Sequence, residues 1–240
     1  MPKDNLPSVA IFGASGAIGS ALCHSYQQNG WHVTAVGRDR KPKNHSSGEI
    51  DYCNWPPRSN SSVPKSFPTN LNAVIWAQGA NISDDIFSYR REDFLAVFEA
   101  NVVFILETLN IMLNSGSLAD KCRMVVISSI WQEIARNRKL SYTVSKSALR
   151  GLVQSLAIDL AELNHQINAV LPGILDTPMT RQNLMPNQID EILKHTPGYQ
   201  ITSMDTICET VRFLTSDGSH GVNGQFLGID GGFSRTFIAE

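Results

Sequence analysis

The sequence contains few residues of the kinds that build disulfide frameworks or metal sites. It has four cysteines and six histidines in 240 residues. No two cysteines form a Cys-x-x-Cys pair, and no two histidines stand at a metal-ligand spacing on one predicted helix. We therefore expect neither a disulfide framework nor a zinc site, and reduced thiols favour a cytoplasmic protein. The cysteines are Cys23, Cys53, Cys122 and Cys208.

Long apolar runs and an excess of basic charge are also missing. No apolar run approaches the ~20 residues that a helix needs to cross a bilayer, and the polar, proline-containing residues 1–7 are unlike a signal peptide. The formal net charge is -2, and the basic clusters at residues 38–41 and 136–139 are interpreted as short solvated turns. We expect neither a membrane nor a nucleic acid as a partner.

The composition is that of a globular protein. Hydrophobic residues make up 42% of the chain and charged residues 18%, which is unlike a disordered segment. The length suits one large α/β domain with a buried core, and no internal repeat or domain boundary is visible. We therefore predict a single domain over residues 1–240.

Short apolar runs alternate with longer helical patterns along the chain. Apolar strands placed between helices predict a parallel sheet that is covered on both faces. Right-handed crossovers then make a doubly wound sheet the natural α/β topology. Strands are predicted at residues 9–12, 31–36, 72–77, 123–128, 167–171 and 225–229. Helices are predicted at residues 16–28, 91–113, 142–163 and 206–215.

One stretch interrupts this alternation. Residues 54–70 contain Pro56, Pro57, Pro64 and Pro68, with serines between them. A proline inside a helix removes a hydrogen bond and collides with the preceding turn, which costs roughly 3 kcal/mol. We predict a loop with at most one helical turn in place of a crossover helix.

Glycines follow the first predicted strand at a regular spacing. Residues 13–19 read Gly-Ala-Ser-Gly-Ala-Ile-Gly and open the first predicted helix. The first glycine permits a tight turn, the second lets the backbone approach a phosphate, and the third allows the helix to pack closely on the strand. The N-H groups at the start of the helix would face a pyrophosphate; an ordinary strand–helix turn is the alternative. The predicted cofactor contacts in this turn are Gly13, Ser15, Gly16, Ala17, Ile18 and Gly19.

The second predicted strand ends in Gly37-Arg38. An NAD enzyme usually carries a carboxylate here, which binds the ribose 2′-hydroxyl. Gly37 has no side chain, and the planar cation of Arg38 suits a 2′-phosphate, so NADP(H) is favoured as the cofactor. Asp39 could pair with Arg38 or repel a phosphate, which keeps NAD(H) and a plain surface arginine open. Asp51 is placed to accept from the adenine amino group, or is an exposed turn aspartate.

Tyr142 and Lys146 share one face of a long predicted helix, because residues four apart do so. A free tyrosine titrates near ~10 and is a poor base at neutral pH. A nearby ammonium favours the phenolate and lowers the tyrosine pKa, and an oxidised nicotinamide would add a second positive charge. Upstream, a strand ends in Ser128-Ser129, where a hydroxyl can bind a substrate oxygen. A helix-face pair of no consequence and a serine turn are the alternatives.

Taken in order, these residues resemble the short-chain dehydrogenase/reductase family over essentially the whole chain. The matching motifs are the glycine turn, Asn101, Ser129 with Tyr142-x-x-x-Lys146, residues 168–173 (Asn-Ala-Val-Leu-Pro-Gly), and residues 223–232 with Asn-Gly-Gln and Asp-Gly-Gly. The resemblance implies a single-domain, Rossmann-like α/β fold with helices on both faces. It also implies an NAD(P)-dependent oxidoreductase that forms a homo-oligomer, a tetramer or a dimer.

The resemblance implies a role for each matching residue. Tyr142 would be the proton donor and acceptor, and Lys146 would bind the nicotinamide ribose. Ser129 would bind the substrate oxygen and is preferred to Ser128 by the family's serine-to-tyrosine spacing. Asn101 would belong to a water-linked proton path to Lys146. The segment that contacts the nicotinamide carboxamide would comprise Pro172, Gly173, Ile174 and Thr177.

Two stretches depart from the family pattern. The usual Asn-Asn-Ala-Gly-like stretch reads Trp76-Ala77-Gln78-Gly79 here, so only the glycine matches cleanly. Trp76 is interpreted as a core residue, while Ala77 and Gly79 remain predicted cofactor contacts. The proline-rich segment replaces the usual third crossover helix. Neither departure touches the serine, tyrosine, lysine and asparagine set, so we expect an active enzyme.

We therefore expect an NADP(H)-dependent oxidoreductase that acts on an alcohol or carbonyl carbon of a small molecule. An NAD(H)-dependent dehydrogenase of a sugar or other polyol stays open, as does a non-catalytic nucleotide-binding sensor on the same fold. Residues 175–198 mix apolar and polar side chains and are predicted to form a lid over a substrate that the sequence does not identify.

Overall fold

Seven parallel strands form the centre of the protein. A computed structural model describes residues 6–38, 50–56, 62–175 and 186–236 of the chain. The strands are β1 (Ser8–Phe12), β2 (His32–Gly37), β3 (Ile50–Asn54), β4 (Leu71–Trp76), β5 (Leu118–Ile127), β6 (Gln166–Pro172) and β7 (Phe226–Ile229). Their order across the sheet is β3-β2-β1-β4-β5-β6-β7. The predicted doubly wound parallel sheet is confirmed, although β3 was not among the predicted strands.

Helices cover both faces of this sheet. One apolar cluster beneath the helices includes Trp76, Phe104 and Leu149, and a second, on the other face, includes Leu22 and Val211. The helices are α1 (Ala17–Gln28), α2 (Arg91–Phe98), α3 (Phe104–Asn114), α4 (Leu140–Asp159), α5 (Pro186–Lys194) and α6 (Met204–Leu214). Helices α3 and α4 lie over the first cluster, and α1 and α6 lie over the second. The sheet is therefore buried from both sides, as its continuous apolar strands require.

The strand order reverses next to β1, which pairs with both β2 and β4. In doubly wound sheets the ligand binds outside the carboxyl ends of the strands at such a reversal. The residues that directly follow β1, β2, β4 and β5 are Gly13, Arg38, Ala77 and Ser128. The fold therefore brings the glycine turn and the ends of these strands to one edge of the sheet.

The helical stretch Arg91–Asn114 lies against the sheet as a core element. Among the described residues it is the one helix whose length and apolar composition would allow it to cross a membrane, with a mean hydropathy of 1.7. The sequence predicts this helix at residues 91–113, but it shows no apolar run of ~20 residues there because polar residues are scattered along the helix. The core helix of a globular protein passes the same test, and here Phe104, Ile105, Leu109 and Met112 are buried in the core cluster.

Aromatic side chains, not a helix, cover the core beside the proline-rich segment. The described residues 62–70 of that segment contain no helix, in agreement with the predicted loop. The rings of Trp55 and Phe67 meet with centroids 4.9 Å apart, and Phe12 contacts Trp55 at 5.6 Å. Trp76 is fully buried and stacks on Phe12 at 5.9 Å. The interpretation of Trp76 as a core residue is therefore confirmed.

Candidate active site

The glycine turn after β1 is packed so tightly that side chains do not fit at two of its glycines. Gly13 has a φ of 75°, in the left-handed region that favours glycine. A Cβ on Gly13 would lie 2.5 Å from the backbone nitrogen of Gln78, and a Cβ on Gly19 would collide with the carbonyl oxygen of Gly13. The N-H of Gly16 donates to that same oxygen at 3.0 Å. The turn therefore has the compact shape that its glycine spacing predicts.

Helix α1 starts from this turn, and its N-terminus has no side-chain cap. Its N-cap residue is Gly16, no side chain caps it, and its first turn holds no acidic residue. Ser15, Gly16 and Ala17 are exposed, and Ile18 is partly buried. The first N-H groups of a helix have no partner within the helix, and the helix dipole favours an anion there. The residues at this end of α1 therefore fit a pyrophosphate group.

The ends of β2 and β3 lie side by side at the same edge. Gly37 pairs with Asn54, the last residue of β3, and the exposed Arg38 follows Gly37 directly. A Cβ at Gly37 would lie 2.8 Å from the hydroxyl of Tyr52. A side chain at position 37 therefore does not fit unless that hydroxyl moves. Asp39 lies outside the described residues.

Asp51 is not brought to this edge. It pairs with Thr34, and its carboxylate lies 2.7 Å from Nε2 of His32, the first residue of β2. Asp51 precedes Asn54 by three residues, which is about 10 Å along a strand. The structure therefore separates Asp51 from the other predicted cofactor residues. The polar residue at the end of β3 is Asn54, which the sequence analysis did not single out.

Asn101 ties the segment after β4 to helix α4. It lies in a π-helical turn, Glu99–Val103, that joins α2 to α3, and it is buried. Its Oδ1 accepts from the N-H of Ala80 at 2.7 Å, and its Nδ2 donates to the carbonyl oxygen of Ala80 at 3.0 Å. Nδ2 also donates to Oγ of Ser145 at 2.8 Å. Since Ser145 directly precedes Lys146, the structure brings two of the predicted catalytic residues together.

Gly79 keeps a space open beside these two residues. A Cβ at position 79 would lie 3.2 Å from Oδ1 of Asn101 and 3.8 Å from Nζ of Lys146. The N-H of Ala77 donates to the carbonyl oxygen of Phe12 at 3.0 Å, which joins the end of β4 to that of β1. Ala77 and Gly79 therefore border the space between the glycine turn and Lys146 along this edge of the sheet, which we call the crevice and where cofactor contacts are predicted.

Ser129 and Tyr142 meet at the end of β5. The hydroxyl of Ser129 lies close enough to Tyr142 to lower the pKa of its phenol, whereas Oγ of Ser128 donates to Oε1 of Gln132 at 2.8 Å. The geometry therefore agrees with the choice of Ser129. Burial raises the pKa of Tyr142 above its ordinary value of 10.0, and the nearby Ser129 hydroxyl offsets part of that rise.

Lys146 is buried behind Tyr142. Its Nζ lies 5.7 Å from the centre of the Tyr142 ring and donates to the carbonyl oxygen of Ile127 at 3.0 Å. Burial lowers the pKa of Lys146 to about 8. The sequence predicts that this ammonium lowers the pKa of Tyr142. In the protein alone the pKa of Tyr142 is raised instead, because burial outweighs the lowering effect of the Ser129 hydroxyl.

The end of β6 is held tightly against the end of β7. Pro172 is the last residue of β6, and the N-H of Gly173 donates to the carbonyl oxygen of Ile229 at 2.8 Å. A Cβ at Gly173 would lie 2.7 Å from the Cβ of Asp230. Position 173 therefore requires glycine, and Ile174 follows at the same edge as Ser129.

The predicted lid is described only in part. Its described residues are Leu175 and residues 186–198, which contain α5, and Thr177 lies outside the described residues. Ile174, Thr196 and Phe233 line a cavity between the end of β6, the residues after α5 and the turn after β7. The part of the lid that the structure describes thus borders the same edge of the sheet.

Two polar residues near α4 differ from the sequence analysis. Lys139, interpreted as part of a solvated turn, is buried, and its Nζ donates to Oδ1 of Asn81 at 2.9 Å and to the carbonyl oxygen of Ile82 at 3.3 Å. That interpretation is wrong for Lys139, because the segment after β4 folds over it. Asp84 was not singled out, yet its buried carboxylate accepts from the N-H of Ser141, 57 residues away.

The cysteines are all free and buried. Burial raises the pKa of each thiol, so the thiols stay protonated and unreactive at neutral pH. Within the ranges that the structure describes, no group of three or more His, Cys, Asp or Glu side chains is placed to hold a metal ion.

The sequence and the fold both match known proteins. A family model described as enoyl-(acyl carrier protein) reductase matches residues 65–234. Glucose 1-dehydrogenase of Gluconobacter oxydans is 26% identical over 246 residues, which cover 94% of this chain and 91% of that protein. A 4-hydroxyisoleucine dehydrogenase complexed with NADH superposes with a TM-score of 0.81 at 21% identity, covering 96% of this chain and 99% of that one. A variant of actinorhodin polyketide ketoreductase with NADPH gives 0.83 at 20% identity, covering 98% and 99%.

The family match extends over well more than half of the chain. It includes Asn101, Ser129, Tyr142 and Lys146, while the glycine turn lies before its first residue. The seven-stranded parallel sheet and the crevice at its carboxyl edge agree with it. The chain belongs to the short-chain dehydrogenase/reductase family and is an NAD(P)-dependent oxidoreductase.

Proposed function

We propose that this chain prefers NADP(H) and transfers a hydride between the nicotinamide and an alcohol or carbonyl carbon of a small molecule, with Tyr142 as acid and base. The observation that carries the proposal is the cluster of Ser129, Tyr142 and Lys146 beside the crevice that begins at Gly13. A phenol, a hydroxyl and an ammonium in contact with one crevice are the groups needed to bind an oxygen atom and move its proton.

Tyr142 handles the proton of the proposed reaction. The bound cofactor supplies or accepts the hydride. In reduction the phenol of Tyr142 gives its proton to the substrate oxygen, and in oxidation the phenolate removes it. Burial raises the pKa of Tyr142, which favours the phenol form that reduction requires. The hydroxyl of Ser129 lies beside Tyr142 and is placed to hold the substrate oxygen next to it.

Lys146 has hydrogen-bonding capacity left for the cofactor. An ammonium carries three donors, and the carbonyl oxygen of Ile127 takes one of them. The space in front of Nζ is kept open by Gly79, so ribose hydroxyls are suitable partners for the other two. Asn101 borders the same space, which supports its proposed place in a water-linked path to Lys146.

The preference for NADP(H) is supported by the end of β2. Position 37 holds no carboxylate for a ribose 2′-hydroxyl, and the Tyr52 hydroxyl occupies the room that a side chain would need. The exposed guanidinium of Arg38 stands next to it and suits a 2′-phosphate. The two structural neighbours are complexed with NADH and with NADPH, so similarity to them favours neither cofactor.

The proposed substrate is a small alcohol or carbonyl compound that binds above Tyr142. Ile174 and Phe233, which line a cavity together with Thr196, Gln200 and Asp230, are proposed as part of its wall, since the Trp131 ring, two residues after Ser129, meets Phe233 with centroids 6.5 Å apart. An NAD(H)-dependent sugar dehydrogenase is the second candidate, favoured by the full-length similarity to a glucose 1-dehydrogenase.

A homo-oligomer, a tetramer or a dimer, is proposed on the exposed apolar side chains of the long helices. Leu95 and Leu106 on α2 and α3, and Val144 and Ile158 on α4, are all exposed. Such side chains on neighbouring helices favour burial against a second copy of the chain. A cytoplasmic location stays a prediction of the sequence.

Cofactor oxidation with a panel of ketones, aldehydes and keto sugars tests the proposal. We expect turnover with NADPH on at least one compound, and a dissociation constant for NADPH at least ~10-fold below that for NADH. Ser129→Ala should remove most of the turnover, while the matched variant Ser128→Ala, one residue away, should keep it. Tight NADPH binding without turnover on any compound would support a non-catalytic sensor instead.

A further inference from the structure

Asp84 bonds the first turn of α4 from a distant part of the chain. It lies in the segment after β4 and is only 6% exposed. Its carboxylate oxygens accept from the N-H of Ser141 at 3.1 and 3.3 Å, and also from the Ser141 hydroxyl. The carbonyl oxygen of Asp84 accepts from the N-H of Leu140 at 3.2 Å. Both of the first two residues of α4 are therefore bonded to Asp84.

Helix α4 has no cap of its own at this end. Its N-cap residue is Lys139, whose side chain makes no capping bond and turns instead to Asn81 and Ile82. The first N-H groups of a helix need outside acceptors, and a carboxylate also stabilises the positive end of the helix dipole. Asp84, which precedes Ser141 by 57 residues, supplies both the acceptor and the carboxylate.

The segment that carries Asp84 is also fixed on its other side. The backbone of Ala80 both donates to and accepts from the side chain of Asn101. Just before it, Gly79 borders the space beside Lys146. Residues 79–84 thus run from the crevice to the start of α4, with hydrogen bonds at both ends.

We propose that Asp84 is a positioning residue for Tyr142. Tyr142 directly follows Ser141, so the bonds to Asp84 set where the first turn of α4 lies relative to Ser129 and to the crevice. This inference rests on the proposed function, in which the Tyr142 hydroxyl must reach the substrate oxygen. A misplacement of about 1 Å at such a group can cost on the order of 100-fold in rate. The neutral amide of Asn at position 84 would keep one acceptor and hence part of the bridge.

The experiment compares Asp84→Ala and Asp84→Asn with the matched variant Asp85→Ala. Asp85 is the next residue, and its carboxylate accepts from Ser88 within its own turn. We expect Asp84→Ala to lower kcat at least ~10-fold with little change in the KM for NADPH. Asp84→Asn should recover part of kcat, and Asp85→Ala should match the wild type.

A second readout does not depend on turnover. The titration of Tyr142 is obtained from the ultraviolet difference between each protein and its Tyr142→Phe counterpart. Burial is what raises the pKa of Tyr142, so loosening the first turn in Asp84→Ala should move this titration down toward the ordinary value. Ser141→Ala removes one of the bonds to Asp84 and should lower the Tyr142 titration by a smaller amount. This variant provides the same test if Asp84→Ala does not fold.

The two proposals fail in different ways. An Asp84→Ala protein with wild-type kcat and an unmoved Tyr142 titration would overturn the role of Asp84, while an inactive Tyr142→Phe would still support the proposed function. If Asp84→Ala lowers kcat, the affinity for NADPH and the free energy of unfolding together, the role of Asp84 is also overturned, because such a pattern indicates a general structural role. A wild type that turns over no substrate, but whose Tyr142 titration moves with Asp84→Ala, would contradict the function and support the positioning.

Discussion

The ammonium of Lys146 donates a hydrogen bond of 3.0 Å to the carbonyl oxygen of Ile127 in a site that leaves the lysine only 4% exposed. A charge so placed loses most of its hydration, and burial lowers its pKa from 10.5 to about 8. At neutral pH the protein must therefore fold with an ammonium whose burial is unfavourable. Such a cost is typical of a group that is kept for function.

Replacing Lys146 should therefore stabilise the protein while it abolishes activity. A pKa lowered to about 8 in the folded state corresponds to roughly 3 kcal/mol of destabilisation below pH 8. Lys146→Met removes that penalty and loses the bond to Ile127, so we expect the free energy of unfolding of the protein alone to rise by about 2 kcal/mol at pH 7. Denaturant unfolding followed by circular dichroism measures this change.

The stability difference between wild type and Lys146→Met should depend on pH. Between about 8 and 10.5 the unfolded chain holds more protons on this lysine than the folded protein does, so wild-type stability rises with pH across that window. The advantage of Lys146→Met should be full below pH 8 and fade as the pH approaches 10.5. Lys121→Met, at an exposed position, is the control and should show no such trend. A Lys146→Met protein less stable than wild type at pH 7 would contradict the unfavourable burial of the Lys146 ammonium.

Tyr142→Phe should lose turnover and keep cofactor binding. It removes one hydroxyl and leaves the ring and the helix unchanged, and general acid/base help is typically worth ~100- to 10,000-fold. We expect kcat to fall by at least that lower bound, with the dissociation constant for NADPH nearly unchanged. Tyr89→Phe, at an exposed ring, is the matched control. Near wild-type turnover by Tyr142→Phe would mean that another group supplies the proton.

Reversing the charge at Arg38 should change the choice of cofactor. A carboxylate there would repel a 2′-phosphate and could bind a 2′-hydroxyl, so Arg38→Asp should weaken NADPH binding at least ~10-fold while NADH binding holds or improves. Fluorescence titration of both cofactors measures this. Lys121→Asp makes the same charge reversal in β5, well before the end of that strand, and should leave both affinities unchanged. Equal wild-type affinity for the two cofactors would be incompatible with the proposed preference.

A methyl group at position 79 should block the space beside Lys146. The Cβ of Gly79→Ala would press on Asn101 and approach Nζ, so we expect NADPH binding to weaken by at least ~5-fold, or about 1 kcal/mol. Gly228→Ala is the control, since a Cβ there meets no atom within 4 Å. Unchanged binding and turnover in Gly79→Ala would show that the cofactor does not use this space.

The oligomeric state can be tested with one exposed residue on α4. Ile158 is 76% exposed, and Ile158→Glu would place a charge in the proposed contact between copies. We expect sedimentation of the wild type to give two or four times the chain mass of 26.4 kDa, and Ile158→Glu to give a smaller mass. Phe213→Glu on α6, across the sheet, should leave the mass unchanged. A wild-type monomer at micromolar concentration would contradict the proposed oligomer.

Local patterns in the sequence were enough for six of the seven described strands, for every named helix except α5, and for most of the candidate site. The glycine turn at residues 13–19 and the Tyr142–Lys146 pair each lie within one turn or one helix, so backbone geometry alone fixes how their members stand to one another. Apolar strands between helices likewise determined the doubly wound topology, because a parallel sheet must be covered on both faces.

Only the tertiary structure decided what depends on partners far apart in the chain. Strand β3 has five residues with a mixed pattern and forms by pairing with β2, which places Asn54, and not Asp51, at the sheet edge. The bridge from Asp84 to Ser141 spans 57 residues, and no local pattern indicates it. The pKa of Tyr142 was expected to fall because the cation of Lys146 lies on the same helix face, yet it rises, because burial is set by every element that packs around the ring.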